Sequence, residues 1–142
     1  MADEGNTVAL EVATPHGKAL STEADMVQVP SSAGEFGVLP NHLPILAVLK
    51  PGVMKFERDG KTQCAAISSG FVEADASRVR IVTESFMAPE DVDAAEARSD
   101  LEAAEARLKE VSGALHDPEQ VRAQRQLDWA LARVELAASN AN

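Results

Sequence analysis

The sequence has no tyrosine, one tryptophan and few aromatic residues of any kind, 4% in all. A core made from it must therefore be aliphatic. There is one cysteine, Cys64. That excludes a disulfide framework within the chain and leaves no Cys-x-x-Cys mate to hold a metal. Positive charge is scarce: 13 Lys and Arg stand against 23 Asp and Glu, for a formal net charge of −10. Nucleic acid needs clustered cations against its phosphates, and anionic lipid attracts the same groups, so neither is expected as a partner. No apolar run approaches the ~20 residues that span a bilayer, so direct membrane insertion is not expected either. His16, His42 and His116 lie in unrelated segments without neighbours at metal-ligand spacing. No nucleophile elbow, phosphate-cradling loop or Cys-His motif occurs. The first six residues, acidic and polar, resemble neither a signal peptide nor a transit peptide. No catalytic constellation and no metal site are expected.

What is present divides at Pro89. Before it, short segments alternate between apolar and polar residues and are separated by turns. Residues 7–14 read as a first strand, Pro15-His16-Gly17-Lys18 as a turn, and residues 19–30 as a second strand centred on Met26–Val29. Ile45–Leu49 is a continuous apolar run, expected to be one buried strand. Residues 53–57 and 62–67 flank Asp59-Gly60, a strong hairpin signal. Phe71–Glu73 and Arg78–Val82 follow, with a turn at Ala76-Ser77. Strands at this spacing predict an all-β sandwich ending near Met87. Its most distinctive stretch is Gly34–Gly52. There Gly34 and Gly37 are expected to supply backbone angles or close approaches that side chains forbid, and Pro40, Pro44 and Pro51 stiffen the chain.

After Pro89 the period changes from two to about 3.6. Pro89 suits a first helical position, with Glu90, Asp91 and Asp93 at the positive end of the dipole. Ala94, Ala97, Leu101, Ala104, Leu108, Val111 and Leu115 form a heptad-like seam, with Gly113 as a C-cap. Asp117-Pro118-Glu119-Gln120 starts a second helix, whose stripe is Ala123, Leu127, Leu131, Val134 and Ala138. The expected architecture is thus an N-terminal β-sandwich of about ten strands over residues 1–88, then a C-terminal antiparallel two-helix hairpin over 89–142. A seam rich in alanine gains little from burial, which suits an element with two positions; the alternative is a static hairpin docked on the sandwich. Arg122, Arg125, Trp129 and Arg133 fall together with Leu136 at helical spacing, opposite the leucine stripe. Trp and Arg are the residue types that dominate interfaces. The alternative is that Trp129 packs on the sandwich and the arginines are solvated.

Gly-Glu-Phe-Gly-Val-Leu-Pro-Asn-His-x-Pro at Gly34–Pro44, followed by Leu49-Lys50-Pro51-Gly52, resembles the signature of the epsilon chain of F-type ATP synthases. The likeness begins at Val12–Gly17, continues through Ser69–Glu73 and extends into the acidic, Ala-rich region after Pro89. It implies a non-catalytic rotor subunit of the central stalk, coupling proton-driven rotation to ATP synthesis. Its sandwich would bind the gamma chain and the c-ring, and its helices would extend transiently toward the alpha and beta chains and impede ATP hydrolysis. Carried over by position, Glu35 and Phe36 are the implied c-ring contact, and His42 and Pro44 the implied gamma contact. Arg122, Arg125, Trp129 and Arg133 are the implied contact with the catalytic head in an extended state. Some members bind ATP through an Ile/Leu-Asp-x-x-Arg-Ala motif. Here Val92-Asp93-Ala94-Ala95-Glu96-Ala97 places Glu96 at the Arg position, which repels phosphate, so no cofactor is expected. The implied location is peripheral, on the cytoplasmic side of a prokaryotic inner membrane or the stromal side of a thylakoid. A reading from another class is a free-standing β-sandwich adaptor with a helical hairpin.

Overall fold

The computed structural model describes residues 6–111 and 117–140. Ten strands precede two helices: β1 (Val8–Thr14), β2 (Gly17–Ala24), β3 (Met26–Ser31), β4 (Gly34–Val38), β5 (Ile45–Leu49), β6 (Gly52–Arg58), β7 (Lys61–Ile67), β8 (Gly70–Ala74), β9 (Arg78–Thr83) and β10 (Phe86–Met87). One layer runs β10-β7-β6-β3 with β4 on the far side of β3, and the other runs β5-β8-β9-β1-β2. The layers meet where Ser31 of β3 pairs with Leu49 of β5. All pairs are antiparallel except β1 with β9. The expected second strand is in fact two, β2 and β3, because Asp25 breaks the ladder.

Period-two alternation produces the core. Val8, Leu10 and Val12 of β1 face inward, as do Val27 and Val29 of β3 and Val79 and Ile81 of β9, and all are fully or almost fully buried. Met54 and Phe56 from β6 fill the space between the layers. With no tyrosine available, these branched aliphatics supply most of the packing.

Two places explain turn chemistry that the sequence displays. Asp59 and Gly60 both have positive φ, 52° and 78°, as a two-residue hairpin turn between β6 and β7 requires. At Gly70 a Cβ would lie 1.9 Å from the carbonyl oxygen of Val82, so only glycine lets β8 pass β9 there. Gly37 is different: a Cβ there would meet atoms only at 3.8 Å, and its φ is not positive. The expectation that Gly37 is required by the chain's own backbone is therefore not met, whereas Gly34, at φ 115°, does need its freedom.

Pro89 opens a short 3-10 turn, Pro89–Asp91, rather than the helix itself. Helix α1 (Ala94–Glu110) starts later because Asp93 caps it, accepting the amide of Glu96 at 3.0 Å. Helix α2 (Pro118–Asn140) begins behind Asp117, whose carboxylate accepts the amide of Glu119 at 3.0 Å. Gly113 and Leu115, expected as a cap and a seam residue, lie outside the described residues. Helix α1 packs chiefly on α2, and α2 packs on β6 and β7. Ala97 and Ala104 are buried on α1, and Ala123, Ala130, Ala132 and Leu136 on α2. The expected α2 stripe is corrected by this arrangement. Leu131 is exposed, while Ala132 and Leu136 are buried with Ala66 of β7. The helix has two neighbours to satisfy, a helix and a sheet, so one stripe does not describe it.

Candidate functional site

Two surfaces concentrate the residues singled out from the sequence. The first follows β4 and β5. A turn at Ser31–Gly34 launches β4; the Ser31 hydroxyl donates to the carbonyl of Gly34 and accepts the amide of Ala33 at 3.2 Å. Along β4, Glu35 is exposed and is bonded by the Gln28 side chain at 3.2 Å. Phe36 turns the other way and packs against the main core. Alternation on a strand thus separates the two: Glu35 is presented outward, and Phe36 braces the strand from behind.

Between β4 and β5 the chain makes a tight excursion. Asn41 adopts φ 69°, and its amide donates to the carbonyl of Ala76 at 2.7 Å, tying the excursion to the β8–β9 turn. That turn is in turn fixed by Asp75, whose carboxylate accepts the amides of Ser77 at 2.9 Å and Arg78 at 3.0 Å. These backbone hydrogen bonds hold the Asp75 carboxyl below its ordinary pKa. His42 is half-buried and Pro44 is exposed. Nδ1 of His42 lies in hydrogen-bonding range of the carbonyl of Leu43.

The dominant feature here was not singled out from sequence. Leu43 is 80% exposed, Leu46 69% and Val48 63%, and Leu39 and Phe71 are also exposed. Leu46 and Val48 point outward from β5, and Phe71 of β8 pairs with Val48 across the ladder. Val82 of β9 pairs in turn with Phe71. The run Ile45–Leu49, expected to be a buried strand, is a strand with only one face in the core. Among the described residues, α2 packs chiefly on β6 and β7 of the other layer. Leu46, Val48 and Phe71 give the outer face of this layer an exposed apolar strip of the kind that interaction surfaces use. Its signal in the sequence was the absence of polar alternation in Ile45–Leu49.

The second surface is the hairpin. Arg122 and Arg125 are exposed, as expected of a free basic face. Trp129 and Arg133 are not part of that face. Trp129 packs against the cluster of Ala66, Ala132 and Leu136, so the alternative reading, in which Trp129 packs on the sandwich, describes the folded hairpin. Arg133 crosses to α1 and donates to Asp100 at 2.9 Å. Glu96, at the third position of α1, is exposed. Among the described residues no group of three or more acidic, His or Cys side chains could hold a metal ion, and no helix is long and apolar enough to cross a membrane.

Comparison with known proteins gives a consistent picture. The profile of the ATP synthase, delta/epsilon chain, beta-sandwich domain matches residues 7–89. An ATP synthase epsilon chain from Synechococcus sp. (strain WH7803) is 36% identical over 131 residues, covering 92% of this chain and 96% of the relative. One from Nitratidesulfovibrio vulgaris (strain DP4) is 38% identical over 127 residues, covering 89% and 92%. Among solved structures, a chain of the Euglena gracilis mitochondrial ATP synthase superposes with a TM-score of 0.77 at 22% identity, covering 97% of this chain and 86% of that one. A chain of the Tetrahymena thermophila ATP synthase central stalk and c-ring gives 0.53 at 14%, covering 95% and 96%. At these identities the structural matches speak for the fold.

Proposed function

Because the chain belongs to the epsilon-chain family of F-type ATP synthases, we propose that it is a non-catalytic rotor subunit that joins the gamma chain to the c-ring and restrains ATP hydrolysis through its helices. The observation that carries this reading is the unequal covering of the sandwich. One layer is contacted by α2, and the other leaves Leu46, Val48 and Phe71 exposed, with Leu39 and Leu43 exposed on the excursion that leads into it. An interface needs a desolvated apolar centre with a polar rim. The bare layer supplies the centre, and His42 and Pro44 stand at its edge, so this is the gamma-chain contact. Transmission of torque requires a stiff dock, which the Asn41–Ala76 hydrogen bond and the capped Asp75 turn provide.

Glu35 is the c-ring contact, presented on an edge strand that Phe36 anchors to the core. Gly37 is exposed beside it, and its missing side chain leaves room for an approaching backbone. The hairpin contacts the alpha and beta chains only when extended. Arg122 and Arg125 are available at once, and Trp129 and Arg133 become so when α2 lifts from β6 and β7. Undocking exposes Leu136, Ala132, Ala66 and the half-buried Trp129, a cost of a few kcal/mol at ~25 cal/mol per Å², which a partner surface can offset. No nucleotide is bound by this chain: Glu96 at the start of α1 repels phosphate, so the folded state does not depend on ATP. The protein would be peripheral, on the cytoplasmic or stromal side of the coupling membrane.

The test is ATP hydrolysis by a reconstituted catalytic head with its gamma chain, alone, with the full chain, and with a chain ending at Ala88. The expected result is that both versions bind and only the full chain slows hydrolysis. Binding by neither would reject the rotor reading in favour of a free-standing adaptor.

A further inference from the structure

Where α1 packs on α2, the fully buried side chains are alanines, Leu101, Leu108 and Leu127 are half-buried, and one charged side chain is the exception. Ala97 and Ala104 on α1 and Ala123 and Ala130 on α2 give little on burial. The exception is Arg133. Its side chain is only 12% exposed, its Nη1 lies 2.9 Å from Asp100 on α1, and its guanidinium sits 5.5 Å from the centroid of the Trp129 ring. Its Nε has no hydrogen-bond partner among the described residues. We propose that Asp100, Arg133 and Trp129 form a latch that holds α1 on α2, and that this latch, more than the alanine seam, keeps the hairpin closed.

The placement supports this. Arg133 follows Ala132 and precedes Leu136 by three residues, and both of these are buried against the sandwich with Ala66. Its backbone is therefore held by the sheet while its side chain reaches the other helix. Trp129, one turn earlier, packs against the same cluster and lends its ring face to the cation. Contact thus runs from sheet to Trp129, to Arg133, to Asp100, to α1. A guanidinium this buried, with Nε already orphaned, has no spare partner. Neutralising Asp100 leaves a desolvated cation, which is relieved by opening the helix pair. The second ion pair between the helices, Arg107 with Glu119 at 3.8 Å, is more than half exposed at both ends and is a poor latch. The hairpin is therefore locked at one point, midway along α1 and toward the C-terminal half of α2. Release at that point frees α1 first and leaves α2 on the sheet.

The latch deepens the restraint assigned to the hairpin above, but its test uses the chain alone, so a chain that never slows hydrolysis leaves it intact. Hydrogen exchange would be followed by mass spectrometry in peptides from α1, α2 and the strands. Asp100→Asn is expected to speed exchange in α1 roughly tenfold, as loss of a charge-assisted hydrogen bond does, with the strands unchanged. In an Arg133→Met background the same Asp100→Asn change is expected to add nothing, because its partner is already gone. Glu119→Gln is expected to alter α1 exchange less than twofold. The proposal is overturned if Asp100→Asn leaves α1 exchange unchanged, if it acts equally in both backgrounds, or if exchange rises in the strands as much as in α1.

Discussion

The sandwich and the hairpin are both closed by apolar contact, but with different residues. Inside the sandwich, Leu10, Ile67, Ile81, Met54, Phe56 and a set of valines come together from both layers. Among the described residues of the hairpin, the fully buried ones are Ala97, Ala104, Ala123, Ala130 and Ala132, with Leu136 as the one large side chain. Each large aliphatic contributes about 1.5–3 kcal/mol when fully buried, and an alanine a fraction of that. The first region is therefore expected to hold more strongly than the second. The contrast fits the rotor role proposed above, in which a stiff part bears load and a second part is able to move. The rigid part is given the volume, and the movable part is given a helix pair long enough to form but too poor in bulk to be fixed.

The contrast can be broken or sharpened by substitution. The largest effect is expected in the sandwich: Ile81→Ala should cost about 2–5 kcal/mol in urea unfolding, since it leaves a cavity in a packed core. A loss below ~1 kcal/mol would mean that the core is less tightly packed than its burial indicates. Next is Leu136→Ala, which should weaken docking of α2 by about 2–3 kcal/mol. Its readout is the reaction rate of Cys64 with a thiol reagent. Cys64 packs on the cluster that includes Ala132 and Leu136, so undocking uncovers it. The rate should rise while the unfolding midpoint of the strands stays in place.

A third change, Leu46→Asp, should leave stability within ~0.5 kcal/mol because the side chain is exposed. It should weaken binding to the gamma chain by roughly tenfold or more, measured by titration calorimetry, because it places a charge in an apolar interface. Unchanged binding would move the gamma contact off this layer. The smallest effect belongs to Asp93→Ala, which removes the cap of α1 and should cost about 1 kcal/mol, visible as faster exchange in the first turn of that helix.

Much of this was legible in the sequence, for reasons that particular residues illustrate. Asp59-Gly60 announced its hairpin because few residues accept two positive φ values in succession. The change of period after Pro89 announced the helices, and Asp117-Pro118 marked where the second begins. The start of α1 was misplaced by several residues because Pro89 is as suited to a 3-10 turn as to a helix, whereas Asp93 supplies the actual cap. The docking surface was harder to see. In Ile45–Leu49 every residue is apolar, and a strand buried on both faces reads the same as one with a face reserved for a partner. The motif residues around it, Glu35 and His42, were visible, but the leucines and valine that provide the apolar area were not. Trp129 and Arg133 were visible as a pair at helical spacing. That they face the sheet and the other helix follows only from how α2 is rotated on β6 and β7, which pattern alone does not fix.

The most direct test of the division into a fixed sandwich and a detachable hairpin is a urea titration of the full chain with two reporters in the same samples. Trp129 is the single tryptophan and lies on α2, so its fluorescence follows the hairpin. The methyl resonances of Ile81, buried between the layers, follow the sandwich. The account predicts that the Trp129 transition comes first, with the Ile81 signals still native at its midpoint. Coincident transitions would mean that hairpin and sandwich unfold as one cooperative unit and would contradict it.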